Sequence, residues 1–93
     1  MVLLPAHVEG ARGILKMSQG DSAEAAGVSL STIRFFESGR TTTLRDETLC
    51  RIQAALEFCG IEFLNSGRPG VRYHPDRDQR HDKKPIIVSR PPA

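Results

Sequence analysis

The side chains best suited to recognise a ligand follow a sharp turn, Gly27 to Ser29, that joins two short helical segments. Glycine suits this turn because its backbone reaches tight or left-handed conformations without a steric penalty. Ala23 and Ala26 are small enough to let the two helices approach closely, and Val28 and Ile33 fill the angle between them. In DNA-binding proteins, the outer face of the second helix of such a pair enters the major groove and reads base edges. The pattern therefore predicts a helix-turn-helix motif whose chemistry is the recognition of double-stranded DNA.

Other kinds of chemistry have no matching set of residues. The three histidines are isolated from one another in the sequence: His7, His74 and His81. Their spacing relative to Cys50 and Cys59 fits no zinc pattern. The two cysteines lie on opposite faces of one predicted helix, so they cannot form a disulfide with each other. We therefore expect no catalytic residue, no metal and no cofactor.

Four helices and a hairpin are predicted to position the motif. The predicted helices span 5–17, 19–26, 30–38 and 44–59, and the predicted strands span 61–65 and 71–73. On the first helix, Val8, Ala11, Ile14 and Leu15 recur at helical spacing and predict one apolar stripe. The residues predicted to begin helices as N-caps are Ser18, Ser29 and Thr43. We expect a mainly α fold.

Length and composition indicate a single small domain with a basic end. The chain has 93 residues, of which 39% are apolar and 26% are charged. It contains no apolar run long enough to span a membrane, and its first residues do not resemble a secretory signal. Residues 1–71 carry a net charge of −1 and residues 72–93 one of +3. The stretch 75–93 is predicted to be a disordered basic tail, and its candidate phosphate contacts are Arg77, Arg80, Lys83 and Lys84.

A pattern of polar, small and apolar residues runs from Ser18 to Gly39. It reads Ser18-Gln19-x-x-x-Ala23-x-x-Ala26-Gly27-Val28-Ser29-x-Ser31-Thr32-Ile33-x-x-Phe36-Glu37-x-Gly39. This pattern resembles the Cro/XRE family of lambda repressor-like DNA-binding domains, and the likeness covers about residues 5–60. The following block, Ala55 to Phe63 and then Gly67 to Arg72, resembles a subset of small bacterial regulators. The resemblance implies a lambda repressor-like domain of four or five helices, followed by a short C-terminal β-hairpin.

The resemblance also implies a role for each matching position. The implied DNA contacts are Gln19, Ser29, Leu30, Ser31, Thr32, Arg34, Phe35, Ser38 and Arg40. Hydrogen bonds to base edges are implied for Ser31 and Arg34, and contacts with thymine methyls for Leu30 and Phe35. Phosphate contacts are implied for Thr32, Ser38 and Arg40. Gln19 would touch a phosphate or brace the second motif helix.

Four further residues set the expected geometry of the motif. The resemblance implies an ion pair between Arg12 and Glu37, which would join the first helix to the end of the second motif helix. Ser22 stands where the family has leucine, so either the core loses an anchor or the hydroxyl bonds back to the helix backbone. Phe35 stands where a polar side chain is commoner, and because another phenylalanine follows it, one of the two must face outward.

A homodimer is expected because one short recognition helix reads too few base pairs to address a genome. The residues predicted to form the dimer contact are Ile61, Phe63, Leu64, Val71 and Tyr73. The predicted organisation is a helix-turn-helix domain over 1–60, a dimerisation hairpin over 61–74 and the tail over 75–93. The expected partners are a second copy of the chain and a palindromic double-stranded DNA operator, in which each copy meets one half-site. No membrane and no small-molecule ligand are expected.

The predicted function is sequence-specific DNA binding that regulates transcription in the bacterial cytoplasm, as a dimeric repressor. The family resemblance suggests an autoregulatory, mobile-element or toxin–antitoxin setting. A second hypothesis keeps the same fold but makes the chain a protein-binding adaptor, such as an antiactivator or an antitoxin. In that case Phe35 and Leu30 would form the apolar contact with the partner.

Overall fold

Four helices precede an antiparallel β-hairpin in the computed structural model of the chain, which describes residues 3–39, 44–65 and 68–80. The elements are α1 (Pro5–Leu15), α2 (Gln19–Ala26), α3 (Leu30–Ser38), α4 (Asp46–Phe58), β1 (Ile61–Asn65), β2 (Pro69–Tyr73) and a 3-10 turn (Pro75–Arg77). The two strands pair from Ile61 with Tyr73 to Asn65 with Pro69. The predicted mainly α fold with a hairpin after the helices is confirmed. Within the described ranges, no helix has the length and apolar character needed to cross a membrane.

Local capping explains why α2 and α3 begin and end at the predicted residues. The Ser18 hydroxyl accepts a hydrogen bond from the Asp21 amide at 2.9 Å, and the Asp21 carboxylate accepts one from the Ser18 amide at 3.0 Å. Ser29 caps α3 by accepting from the Thr32 amide at 3.1 Å. Between the two helices, Gly27 takes a left-handed conformation with φ 71°. The turn therefore depends on the residue type that adopts this conformation most easily.

The two longer helices are shorter than predicted. Helix α1 ends at Leu15 because Lys16 is left-handed, with φ 61°, and the next amide returns to the Arg12 carbonyl at 3.0 Å. Helix α4 begins at Asp46, and Arg45 occupies the capping position. The first turn contains two acidic residues, whose negative charges interact favourably with the positive end of the helix dipole. The predicted cap Thr43 lies outside the described residues.

The core lies where the four helices and the inner face of the hairpin meet. Its buried apolar residues are Leu3, Val8, Ala11, Leu15, Met17, Ala23, Ala26, Ile33, Phe36, Ile52, Leu56, Cys59 and Ile61. Ile14 was expected in the stripe of α1 but is 43% exposed. It precedes Leu15 by one residue and is therefore rotated about 100° away from the buried side of the helix.

His7 fastens the hairpin to the first helix. Its ring is 1% exposed. Nδ1 accepts a hydrogen bond from the Leu4 amide at 3.0 Å, so the proton lies on Nε2, which donates to the Leu64 carbonyl at 3.0 Å. The ring also meets Phe63 edge-on, with 5.4 Å between centroids. These contacts join residues far apart in the sequence, and they give a structural role to a histidine that the sequence left isolated.

The chain folds back on itself after β2, so the predicted disordered tail is wrong for its first six residues. The Gln79 amide donates to the Phe58 carbonyl at 2.9 Å and returns the chain to the end of α4. Asp78 is buried, which is possible because its carboxylate accepts from Arg80 Nη2 at 2.6 Å and from the Tyr73 hydroxyl at 2.8 Å. The hydrogen bonds from Arg80 lower the pKa of Asp78 from 3.8 to about 2, against the opposing effect of burial. Residues 81–93 lie outside the described part of the chain.

The two glycines within α1 provide a matched test of how closely the hairpin packs. Alanine is favoured over glycine inside a helix by about 0.5–1 kcal/mol. A Cβ at Gly13 would meet nothing within 4 Å, whereas a Cβ at Gly10 would lie 3.1 Å from Val71 Cγ2. In urea denaturation we expect Gly13→Ala to raise the free energy of unfolding by that amount. Gly10→Ala should raise it by less, or lower it, because the new Cβ crowds Val71. Equal gains would contradict close packing of α1 against β2.

The buried Asp78 carboxylate makes stability depend on pH. Its folded pKa of about 2 lies below the unfolded value of 3.8, so its contribution is complete above about pH 4 and is lost as pH falls towards 2. We expect the stability difference between the native chain and Asp78→Asn to shrink by about 2 kcal/mol over this interval. Urea titrations at several pH values measure that difference. Parallel stability curves for the two proteins would show that Asp78 is not held as an ion pair.

Candidate nucleic-acid interface

A buried ion pair joins α1 to the end of α3. Arg12 Nε donates to Glu37 Oε2 and Arg12 Nη2 donates to Glu37 Oε1, each at 2.7 Å. Gln19, at the start of α2, donates from Nε2 to Glu37 Oε1 at 3.1 Å. These three residues, the clamp, connect three helices through one carboxylate. The predicted pairing of Arg12 with Glu37 is present, and Gln19 adopts the bracing role rather than pointing away from the domain.

The clamp is largely shielded from water, so its charges must be well paired and hydrogen-bonded to offset the free energy cost of burying them. The Glu37 side chain is 3% exposed and the Arg12 side chain 20%. The hydrogen bonds to Glu37 raise the pKa of Arg12 above its usual value, outweighing the opposite effect of burial. Arg12 also donates from Nη1 to the Met17 carbonyl at 3.0 Å, at the turn between α1 and α2. A buried charge pair with additional hydrogen bonds fixes the orientation of the groups that carry it.

The outward side of α3 is left open by this arrangement. Its four exposed residues, the α3 face, are Ser31, Arg34, Phe35 and Ser38. Phe35 is 53% exposed while Phe36 is 4% exposed, so Phe35 is the phenylalanine that faces outward. Within the described part of the chain, the side chains of Ser31 and Arg34 make no hydrogen bond or ion pair. They are available to meet a ligand in front of the helix.

Several of the other residues implied as DNA contacts have structural duties. The Ser29 and Thr32 hydroxyls lie 2.8 Å apart at the start of α3, where Ser29 forms the cap. Leu30 is half-buried against the core, so it offers less apolar surface to a thymine methyl than predicted. The Ser38 hydroxyl donates to the Phe35 carbonyl at 2.8 Å. Arg40 lies outside the described residues.

Ser22 occupies a buried position on α2. It is 3% exposed, and its hydroxyl donates to the Gln19 carbonyl at 2.9 Å. Of the two alternatives that the sequence left open, the structure therefore shows the hydroxyl bonding back to its own helix. This bond satisfies the polar atom at a position where the family has leucine.

The apolar side chains expected at a dimer contact pack largely within the domain. Ile61 is buried, and three others contact the core while partly exposed: Phe63, Val71 and Tyr73. They turn inward because alternate residues of paired strands share a face and this face covers α1 and α4. These four residues therefore leave less apolar surface free than the sequence predicted. Leu64, on the other face of β1, is partly exposed. Dimerisation itself stays a prediction.

The outward face of the hairpin carries a charge cluster that sequence reasoning missed. Glu62 accepts a hydrogen bond from His74 Nε2 at 2.6 Å, and Arg72 and Arg77 lie 3.8 and 3.9 Å away. The hydrogen bond with His74, with lesser help from the two arginines, lowers the pKa of Glu62. The register that pairs Glu62 with Arg72 was the available signal. Among the described residues, no three His, Cys, Asp or Glu side chains are grouped to hold a metal ion.

Comparison with known protein families agrees with this geometry. A family model described as helix-turn-helix matches residues 11–64, more than half of the chain. The matched span begins within α1, includes the whole clamp and the α3 face, and ends within β1. A comparison with curated proteins gives no significant match.

Removing Glu37 tests the clamp against an exposed ion pair in the same chain. We expect Glu37→Ala to lower the free energy of unfolding by about 3–5 kcal/mol, because it leaves the Arg12 charge partly buried without its partner. The matched control is Glu47→Ala, which breaks the exposed pair of Glu47 with Arg51 at 3.2 Å and should cost about 1 kcal/mol or less. Urea denaturation of both variants measures the two costs. Similar small losses would show that the clamp is not an important constraint.

Proposed function

We propose that this chain, which belongs to the Cro/XRE-type helix-turn-helix family of DNA-binding transcription regulators, is a homodimeric repressor of a palindromic DNA operator. The observation that carries the proposal is the α3 face, which projects outward from a helix fixed by the clamp. Two of its polar side chains, those of Ser31 and Arg34, have no partner within the described part of the chain. A face that is both rigidly held and unoccupied is suited to reading a surface of fixed shape.

The chemistry of the α3 face matches the edges of DNA bases. The Arg34 guanidinium presents parallel N–H donors that fit the two major-groove acceptors of guanine. Ser31 lies one turn earlier on the same side and can donate to or accept from a neighbouring base edge. The exposed ring of Phe35 is suited to contact with a thymine methyl. Together these groups favour a short site containing both guanine and thymine.

The start of α3 offers a phosphate contact beside the base-reading face. Unpaired backbone amides and the positive end of the helix dipole attract anions at such a position. Thr32 lies at this start and Ser38 at the opposite end of the helix. The proposal assigns both a contact with the DNA backbone, as the family resemblance implies. Contacts of this kind fix register, while the base contacts supply the specificity.

A dimer supplies the length of DNA that one such helix cannot read. Two recognition helices related by a twofold axis meet half-sites about 34 Å apart, which is one turn of B-DNA. Occupied half-sites of this kind exclude other proteins from the same DNA, and this exclusion is the proposed mechanism of repression. The first operator to examine is the DNA upstream of the chain's own coding region, because the proposal includes autoregulation.

A second candidate function is binding to a protein partner through the same face. The specific observation in its favour is Phe35, whose large exposed ring lies on the α3 face together with Arg34, the one positive charge of that face. Exposed aromatic rings with a neighbouring arginine are common at the centres of protein interfaces. DNA binding is the stronger proposal because the family consists of DNA-binding regulators.

Alanine substitution on the α3 face tests base recognition. We expect Arg34→Ala to weaken binding to a selected operator by about 1–3 kcal/mol and to relax the preference at one base position. Ser31→Ala should have a similar but smaller effect, and Phe35→Ala should lower affinity for sites with thymine at the matching position. Gel shifts with the operator and with single-base variants measure these effects.

The control for this test removes one positive charge elsewhere. Arg72→Ala, on the outward face of the hairpin, should weaken specific and non-specific binding alike and leave the base preference unchanged. Unchanged operator binding in all three α3-face variants, with loss of binding in Arg40→Ala, would show that this face does not read bases. Retention of a protein partner by the native chain but not by Phe35→Ala, with no DNA binding at low salt, would favour the adaptor.

A further inference from the structure

The outward face of the hairpin carries two arginines whose charges one carboxylate does not balance. Arg72 Nη1 lies 3.8 Å and Arg77 Nη1 3.9 Å from the same Glu62 oxygen, which already has the short hydrogen bond with His74. At these distances neither guanidinium is hydrogen-bonded to the carboxylate. These four residues, the hairpin cluster, hold two cations beside one anion, and the guanidinium donors are unused in the described part of the chain.

Both guanidinium groups are open to solvent and close to each other. The side chains of Arg72 and Arg77 are each 60% exposed. Both Nη1 atoms lie within 3.9 Å of one oxygen, and a phosphate group accepts N–H donors on several oxygens at about 2.7–2.9 Å. A single phosphate in front of the cluster can therefore accept from both arginines. Asp76, the exposed carboxylate beside Arg77, forms no ion pair with either of them among the described residues.

The hairpin cluster faces away from α3 because α1 stands between the two. Arg12 holds α3 through Glu37, whereas a Cβ at Gly10 would lie 3.1 Å from Val71 on β2. Positions 10 and 12 are about 200° apart around a helix, so α3 and the hairpin pack on nearly opposite sides of α1. The inner face of the hairpin covers α1, and its outward face is therefore directed away from α3.

We propose that the hairpin cluster is a second nucleic-acid surface, which binds the phosphate backbone of a DNA segment other than the one that α3 reads. Arginine suits this contact because its planar fork of donors matches phosphate oxygens. With both surfaces occupied, one chain holds two stretches of DNA together. Phosphate binding by the cluster is independent of the proposed function, and only the joining of two segments rests on it.

Two observations favour nucleic acid over an acidic protein as the partner. The outward strand positions offer a single large apolar side chain and no aromatic ring, although aromatic rings are enriched in protein interfaces: Glu62, Leu64, Gly70 and Arg72. The neighbouring sequence extends the positive charge, since Arg68 is exposed just before β2 and residues 81–93 contain three basic residues and one acidic residue. A long polyanion can meet several separate cations at once.

Neutralising both arginines tests phosphate binding without an operator. We expect Arg72→Gln/Arg77→Gln to weaken binding to a duplex of arbitrary sequence about tenfold at about 50 mM salt. The slope of log affinity against log salt should fall by about one unit, as the loss of one phosphate contact requires. The control Arg51→Gln removes an arginine of similar exposure, 54%, from α4 and should change affinity less than about twofold. Fluorescence anisotropy measures binding, and circular dichroism shows that each variant is folded.

Removing the carboxylate tests the same site in the opposite direction. Glu62→Gln keeps an oxygen that can accept a hydrogen bond from His74 but removes the negative charge that competes with phosphate. We expect it to strengthen binding to the same duplex about threefold. The matched control Glu47→Gln, at an exposed carboxylate of α4, should strengthen binding less. Equal changes in the two variants would show that Glu62 acts only through overall charge and would overturn the proposal.

The joining of two segments is measured on immobilised operator DNA. Beads carrying the operator are loaded with the full chain, washed, and offered a fluorescent duplex that lacks the operator. We expect the native chain to retain this second duplex and Arg72→Gln/Arg77→Gln to retain about a tenth as much, at equal occupancy of the operator. Arg34→Ala should show the reverse pattern, with weaker operator binding and unimpaired binding of phosphate by the cluster.

The outcomes separate this surface from the proposed function. A native chain that binds no operator, while the cluster variant is still impaired on duplex DNA, would support the phosphate site but overturn the proposed function and the joining of two segments. A loss in Arg72→Gln/Arg77→Gln no larger than that in Arg51→Gln, or unchanged retention of the second duplex, would overturn the proposal. So would displacement of the duplex by an equal phosphate concentration of inorganic phosphate, which indicates a free-anion site, or by polyglutamate at equal charge, which indicates an acidic protein.

Discussion

The buried ion pair between Arg12 and Glu37 is the constraint on which the presentation of α3 depends. Arg12 on α1 and Gln19 on α2 both donate hydrogen bonds to the carboxylate of Glu37 on α3, and that carboxylate is shielded from water. Burying two charges costs more free energy than their attraction returns unless the geometry and the remaining hydrogen bonds are good. The contribution of the clamp is therefore orientation more than stability. With the inner side of α3 fixed against α1 and α2, the side that carries Arg34 and Phe35 can face only outward.

Buried polar side chains with hydrogen-bond partners also join separate segments at the other end of the molecule, around the hairpin. His7 links α1 to β1 through two backbone groups, and Asp78 is buried with Arg80 and the Tyr73 hydroxyl. A chain of 93 residues buries a limited apolar area. Satisfied polar contacts between distant segments specify a single arrangement of such a core, because each leaves an unpaired buried group when it is broken.

Features that depend on contacts between near neighbours in the sequence could be predicted, whereas features that depend on contacts between distant residues could not. Ser18, Gly27 and Ser29 act through neighbours within three or four residues, so the bounds of α2 and α3 could be predicted from local patterns. The contact of His7 with Leu64 joins residues 57 positions apart, and nothing in the local sequence indicates it.

The fold of the first tail residues was missed for another reason. Charge and proline near the C-terminus are typical of disorder, whereas the Asp78 carboxylate is neutralised by Arg80, a cation only two residues away. Helical spacing predicts that Ser31, Arg34 and Phe35 share one side of α3, and the structure shows all three exposed there. The partial burial of Leu30 depends on tertiary packing, so the local sequence could not indicate it.

The central claim is that the clamp presents the α3 face to the major groove of DNA. Dimethyl sulfate footprinting of the chain bound to its upstream DNA tests it most directly, because this reagent methylates guanine at N7, a major-groove atom that a bound arginine covers. If the α3 face reads the major groove, we expect two clusters of protected guanines about 10 base pairs apart, and one guanine in each cluster should be exposed again when Arg34→Ala is used. Bound DNA without guanine protection, or with protection that Arg34→Ala does not change, would contradict it.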